Sequence, residues 1–321
     1  METNNTTFTE TIKQCTGEIT TEAQFVLASL NAIAGIIAMF GNALVLIAIF
    51  KTPSLRTVSN AFLASLAVSD FYIGLVIHPI WMARIIHNVW QSSHLLSEMV
   101  QILSLQSIIS SSYNLCAIAI DRYICIVNVF RAQDIITPRR CTVAISCIWF
   151  FSVAFATTRL VVHDPQVLPY LWFCVQVLGI VLPMNLIAYC YFHIFKIARM
   201  QKRKIATENM KREDRVSILK NNKAAWTAGI IIGLFFLLGM PNFVVACVQS
   251  ASNNLCFKVK MIPIWFWTAF IAFTSAACHP WIYALRSKDF RHAFAQLLGR
   301  TNQSIENAVF RTVTKEFKTS K

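Results

Sequence analysis

The sequence predicts an all-α membrane protein: a seven-transmembrane helix bundle with a short amphipathic interfacial helix after the seventh span. Three observations carry that reading. The 321 residues are 56% hydrophobic and only 14% charged, whereas a soluble globule carries about 25% charged residues, so there is too little polar surface to face water on all sides. Seven mainly apolar segments reach the roughly 20 residues that a helix needs to cross a bilayer. The basic residues are also sorted by side: 23 of the 29 Lys and Arg residues lie in segments 51–57, 128–140, 196–223 and 286–321. Arg122 sits just inside a helix end, and only Lys13, Arg84, Arg159, Lys258 and Lys260 fall in the alternate segments. Basic residues gather on the cytoplasmic side of membrane proteins, so this asymmetry puts the N-terminus outside and the C-terminus inside. The net charge of +14 is then topological, attracted to anionic inner-leaflet lipid, and not the footprint of a nucleic acid.

The elements follow in order. Residues 1–24 form a polar outer tail that lacks a basic start followed by an apolar run, so the first helix is expected to act as the insertion signal. Asn4 and Asn5 each begin an N-x-Ser/Thr sequon, consistent with glycosylation. The bundle occupies 25–285, with spans at about 25–50, 58–84, 95–127, 141–162, 168–198, 224–248 and 261–285. The third is the least hydrophobic; its run from Ser104 to Asn114 is costly in lipid and is expected to face the interior. Over 286–299, Phe290, Phe294, Leu297 and Leu298 alternate with Lys288, Arg291 and His292, a pattern suited to a helix lying flat in the inner interface. Residues 300–321 are a polar cytoplasmic tail. No internal repeat is evident, which weighs against transporters built from duplicated halves.

Polar residues inside apolar helices mark function or packing. Asp70 lies mid-way along the second span, and Asn42, Ser111, Ser275 and His279 are candidate partners. The cluster either fixes helix packing or lines a hydrated cavity that changes on activation. Pro79, Pro183, Pro241 and Pro280 interrupt backbone hydrogen bonding within their helices. Asp121-Arg122-Tyr123 closes the third span; Arg122 either snorkels to headgroups or pairs with Asp121. Tyr191 and Tyr283 stand at the inner ends of the fifth and seventh helices, where phenols beside a releasable guanidinium make a two-state switch. Most cysteines fall in apolar segments without metal-ligand spacing and read as buried thiols. Cys15 and Cys256 differ, because both fall in outer segments where oxidation is allowed. No nucleophile–base–orienter pattern or phosphate loop suggests an enzyme, and no metal or cofactor is called for.

Over roughly residues 25–298 the sequence resembles the rhodopsin-like G protein-coupled receptor family. The matching motifs are Gly41-Asn42, Leu66-Ala67-Val68-Ser69-Asp70, Asp121-Arg122-Tyr123, Trp149, Pro183 with Tyr191, Phe235 with Pro241, and His279-Pro280-Trp281-Ile282-Tyr283, one per helix and in order. The resemblance implies a plasma-membrane receptor with an extracellular ligand, outward movement of the sixth helix and a heterotrimeric G protein docking inside. It makes Asp121, Arg122, Tyr123, Tyr191, Phe235, Pro241, Pro280 and Tyr283 switch residues, Asp70 a sodium-site acid, and Phe130 a G protein contact alongside Arg122. The alternative is a non-signalling seven-helix partner or decoy.

Departures from the family pattern sharpen the reading. Ser97 replaces the usual Cys atop the third helix and the second outer loop has none, a combination that resembles melanocortin receptors; the Tyr283–Phe294 stretch resembles cannabinoid receptors. The broad branch that includes these and the adenosine receptors is favoured. By the same resemblance Cys15 and Cys256 are candidates for a disulfide. Gly239 stands where the family usually carries a toggle Trp, leaving core repacking to Phe235. Asn221 replaces an acid that clasps the helix-three Arg, which implies raised basal signalling. His279 replaces the usual Asn or Asp; beside Asp70 it forms either a pH-sensitive pair or a neutral hydrogen bond, and once protonated it disfavours Na⁺.

Family likeness places the ligand among Gln101, Ser104, Phe173, Asn242, Phe243, Ala246, Phe266 and Phe273. Ser104 occupies the position of the amine-receptor Asp, and no Lys lies between Met261 and Leu285, which disfavours a biogenic amine and a covalent retinal. Aromatic walls with scattered polar groups suit a neutral or lipid-like molecule. Arg84 and Arg159 read most simply as snorkelling residues.

Overall fold

The computed structural model describes residues 19–87, 95–128, 131–162, 167–207, 212–252 and 254–299. Among them seven helices are long and apolar enough to cross a membrane: α1 Thr21–Lys51, α2 Val58–Ile86, α3 Leu95–Val127, α4 Pro138–Val161, α5 Tyr170–Arg203, α6 Arg212–Ala251 and α7 Ile262–Arg286. A short helix α8, Lys288–Leu297, follows. Hydroxyl caps start several of them. Thr20, Thr57 and Thr137 accept from the backbone N–H three residues on, at α1, α2 and α4, and Ser287 does the same for α8. Pro138 follows Thr137 at a position where the missing N–H costs nothing.

Several helices run beyond the apolar windows read from the sequence, most of all α6, which begins at Arg212 instead of about 224, while α3 matches its window at both ends. Hydropathy finds only the lipid-immersed part of a helix, and the charged continuation is equally helical. Burial then orders the bundle. In α3, 67% of the apolar window is buried, against 17% for α4 and for α6. The α3 span, which shares the lowest hydropathy with α7, is therefore the central one. Ser107, Ser110, Ser111, Ser112 and Asn114 are each at most 1% exposed, shielded from lipid by the surrounding helices.

The two largest apolar clusters fill most of the interior. The inner one gathers Leu66, Leu115, Ala119, Ile231 and Tyr283, and extends onto Phe290 and Phe294 of α8. The outer one is built on Trp81, Phe266 and Phe273. Trp149 donates to Ser65 Oγ at 3.1 Å and ties α4 to α2.

The four in-helix prolines are accommodated in two ways. Ahead of Pro79 and Pro183 the helices widen into single π-turns, Ile73–Ile77 and Val177–Val181, which move the backbone out of register with the proline ring. Pro241 and Pro280 stay inside continuous helices. Pro280 leaves the Ala276 carbonyl without its intrahelical donor, and Asn42 Nδ2 donates to that oxygen at 2.9 Å. Beside it, a Cβ on Gly41 would meet the Pro280 ring at 2.8 Å. The Gly41-Asn42 pair thus has one physical job: the glycine lets α1 reach the α7 proline, and the amide satisfies the carbonyl freed there.

Candidate functional site

A cavity of about 150 Å³ opens among the halves of α3, α5, α6 and α7 remote from Arg122. Gln101, Ser104, Asn242, Phe243, Ala246 and Phe273 line it as the sequence suggested. Two positions are corrected. Phe173 is 68% exposed on the outside of the bundle, and its neighbour Trp172 lines the wall instead. Phe266 is 1% exposed and packs on Trp81, with ring centroids 5.1 Å apart; Trp265, one residue away, is the lining ring. In both cases a rotation of one residue, 100° on a helix, separates the inward from the outward side chain.

The cavity wall is mostly apolar, punctuated by hydroxyls and amides. Trp81 Nε1 donates to Ser104 Oγ at 3.1 Å, and Asn242 Nδ2 to Thr268 Oγ1 at 3.3 Å. No Asp, Glu, Lys or Arg is among the described lining residues. Charge lies one layer behind. Arg84 and Arg159 are 5% and 4% exposed, so the snorkelling reading fails for both. The Arg84 guanidinium sits 5.5 Å from the Trp265 ring centre and 5.2 Å from that of Phe266, a cation–π arrangement. Arg159 donates Nε to Gln101 Oε1 at 2.8 Å and Nη1 to the Val162 carbonyl at 3.0 Å, with Glu98 3.8 Å away. It therefore holds a pocket residue and ties α4 to α3 at the level where Ser97 replaces a cysteine. Arg159→Leu is expected to lower stability by about 1–3 kcal/mol, the cost of unmet buried polar groups, with Arg159→Lys recovering part because it lacks the planar fork. Apparent melting temperatures of the detergent-solubilised protein measure this; equal melting of the Leu variant and the wild type would discard the clamp.

Below the pocket, Asp70 Oδ2 and His279 Nδ1 are 2.7 Å apart, with both side chains no more than 2% exposed. The other expected partners of Asp70 bond elsewhere. Asn42 serves the Ala276 carbonyl, Ser111 Oγ lies 3.1 Å from Ser69 Oγ, and Ser275 donates to the Ala272 carbonyl at 2.8 Å. Ser111 and Ser275 instead reach the pocket floor, which corrects their place in an Asp70 cluster. Ser275 is satisfied within its own helix and Ser111 by a serine of α2, a competition that residue spacing does not reveal. A second buried pair, His78 Nδ1 with Asn31 Oδ1 at 2.9 Å, joins α2 to α1. The rule that singled out Asp70, a polar residue in an apolar span, points to Asn31 and His78 as well. Among the described residues no group of three or more His, Cys, Asp or Glu is arranged to hold a metal.

At the inner end, Arg122 is paired with Asp121, which also accepts from Ser59 Oγ at 2.9 Å. The Tyr123 ring lies against Tyr189 and His193. Tyr191 donates to the Ala225 carbonyl of α6 at 3.1 Å, and a Cβ on Gly229 would meet its ring at 2.8 Å. Tyr283 is 2% exposed and its ring stacks on Phe290 at 5.2 Å. Asn221 Nδ2 donates to the Cys125 carbonyl at 3.3 Å and Gln201 Nε2 to that of Ile126 at 3.1 Å. Neutral amides thus bridge α3 to α6 and α5 where an acid was missing, so the loss of restraint inferred from Asn221 is partly offset. Phe235 links the two levels: it lines the pocket and packs on the inner core.

Cys256 is disulfide-bonded, and eight other cysteines are free. Cys15, Asn4, Asn5 and Phe130 lie outside the described residues.

Residues 41–283 match the family model of the 7 transmembrane receptor (rhodopsin family). The chain belongs to this family. It is a rhodopsin-like G protein-coupled receptor, a multi-pass membrane protein of a family whose members are receptors and not enzymes. Among curated relatives, the histamine H2 receptor of Cavia porcellus is 26% identical over 82% of this receptor and 76% of its own length. The adenosine receptor A2a of Canis lupus familiaris is 25% identical over 87% and 74%. The trace amine-associated receptor 365 of Petromyzon marinus is 28% identical over 88% and 82%.

Proposed function

We propose that this receptor binds a small, neutral, mainly apolar extracellular molecule in the α3–α5–α6–α7 cavity and activates a heterotrimeric G protein through Arg122. The single observation that carries the ligand class is the absence of any ionised side chain among the described residues of the cavity wall. An ammonium group desolvated there would face no counter-charge, so the amines named in two of the relatives fit poorly, and an uncharged molecule in the manner of adenosine or a lipid fits better. Aromatic and aliphatic walls with a few hydroxyls and amides match the usual small-molecule site.

The basic segments of the sequence support a cytosolic C-terminus and an outer N-terminus, with Cys15 as partner of Cys256, Asn4 and Asn5 as glycan acceptors, and Phe130 beside Arg122 on the G protein. In α8, Phe290 and Phe294 are buried while Lys288, Arg291 and His292 stay on the other face, which supports a helix lying in the inner interface. The Asp70–His279 pair already supplies the carboxylate with a partner, which supports a site that does without Na⁺.

Expression at matched surface density in cells carrying a promiscuous G protein tests the reading. A signal above vector that disappears in Arg122→Ala and rises in Asn221→Ala is expected. A receptor silent in all three forms, against a panel of neutral lipids and nucleosides, would favour the non-signalling alternative.

A further inference from the structure

The pocket is deeper than its outer aromatic ring requires. Its lining residues on α3 run from Val100 to Ser111, about 16 Å at 1.5 Å per residue, roughly half of a hydrocarbon core about 30 Å thick. The α6 residues run from Phe235 to Ala246 and those of α7 from Trp265 to Ser275, a similar depth. Gly239 sits part-way down this shaft. A Cβ built there meets nothing within 4 Å, whereas at Gly35, Gly41, Gly74, Gly179 and Gly229 it would meet a neighbour at 3.1 Å or less. Those five glycines are explained by close helix packing. Gly239 is not, and a glycine inside a helix is otherwise unfavourable. A Cβ at Gly233, on the exposed face of the same helix, also meets nothing within 4 Å; Gly239 differs in lining the pocket, so the open space it leaves is in the pocket wall.

The chemistry beneath that space is specific. Ser111 and Ser275 line the deep end of the pocket together with Ile108, Phe235 and Ala272. The Ser275 proton is already committed to the Ala272 carbonyl, so its oxygen is left to accept. Ser111 shares a hydrogen bond with Ser69. The floor is one helical turn from the Asp70–His279 pair, since Ser275 precedes His279 by four residues on α7.

We infer that Gly239 opens a recess low in the pocket wall, above the floor, that takes the deep end of the ligand, a slender uncharged group bearing a hydroxyl or N–H donor directed at Ser275. This rests on the ligand-pocket reading above and narrows it. A charged terminus is excluded by the cost of desolvating it between apolar walls, and a bulky one by the width that a single absent side chain provides.

Thiol labelling tests the recess without a known ligand. Gly239→Cys adds a side chain where nothing stands within 4 Å, and Gly233→Cys, exposed on the outer face of the same helix, is its control. The full-length receptor in nanodiscs is treated with 2-hydroxyethyl, n-propyl, 2-sulfonatoethyl and 2-(trimethylammonio)ethyl methanethiosulfonate. Peptide mass spectrometry follows each site apart from the native thiols, with rates normalised to a free thiol in solution. The hydroxyethyl reagent is expected to label Gly239→Cys at least about tenfold faster than either charged reagent. It should also lead n-propyl by roughly three- to tenfold, the value of one net hydrogen bond, and lose that lead when Ser275→Ala is added. Labelling of Gly239→Cys no faster than Gly233→Cys would overturn the recess, and indifference to the charge or hydroxyl of the reagent would overturn its selectivity. Labelling is read without signalling, so a silent reporter leaves this result intact and a failed label leaves the receptor reading intact.

Discussion

Replacing Gly74 with alanine is expected to cost this receptor most of its surface expression and a large part of its stability. A Cβ at that position would lie 2.5 Å from the Met39 backbone nitrogen, 2.7 Å from the Gly35 carbonyl oxygen and 3.0 Å from Ala38 Cβ. Two of those atoms belong to the α1 backbone, which cannot rotate aside, so α1 and α2 must separate or the π-turn Ile73–Ile77 must rebuild. Overpacking of a close-packed interior costs roughly 1–3 kcal/mol where side chains can yield, and here backbone must yield, so the upper end or beyond is expected. Separation would also disturb the His78–Asn31 bond between the same helices. The comparison is Gly239→Ala, which meets nothing within 4 Å and exchanges an unfavourable helical residue for a favourable one, a gain of about 0.5–1 kcal/mol. Cell-surface counts and apparent melting temperature measure both. A Gly74→Ala receptor that melts with wild type would show that the α1–α2 approach is not tight.

The second large effect is expected at His279. In His279→Ala the Asp70 carboxyl, 2% exposed, loses its 2.7 Å partner while remaining buried. Breaking a buried pair from one side costs roughly 3–5 kcal/mol, because the remaining group keeps its desolvation penalty. Asp70→Asn should cost less, since an amide can still hydrogen-bond the ring, and His279→Asn should retain a donor for the carboxylate. A double-mutant cycle of Asp70→Asn and His279→Ala isolates the pair; a coupling near zero in the melting data would mean that the two side chains are adjacent but energetically independent. Signalling of the same variants across mildly acidic to neutral pH separates the two readings of the pair. A curve shape shared by wild type and His279→Asn marks a neutral structural bond, and a pH step confined to the wild type marks a sensor.

Much of this receptor was legible in its residues, for reasons that are local or set by solvent. Bilayer thickness converts apolar run length into seven spans, and the side preference of Lys and Arg converts charge into an expected orientation. The burial of the α3 serine run has a similar cause, since a continuous row of polar side chains is costly to turn towards lipid. Pro280 and Asn42 are each conspicuous alone, but their relation is not, because the carbonyl that joins them belongs to Ala276, a residue without any signal of its own.

Direction and distance are what the residues leave undetermined. Phe173 and Phe266 sit in the right helices at the right depth, yet face lipid and the Trp81 stack instead of the pocket. Arg84 and Arg159 look like membrane-edge residues until neighbouring helices enclose them. Ser111 and Ser275 lie at a depth near that of Asp70, although each bonds elsewhere and lines the pocket. Chain composition and hydropathy alone determined that this is a seven-span bundle, because the lipid solvent acts on each segment independently. Only the tertiary structure decided which polar atoms meet, which aromatic turns inward, and that Gly239 leaves a hole, because each of these depends on the rotation and separation of helices packed against one another.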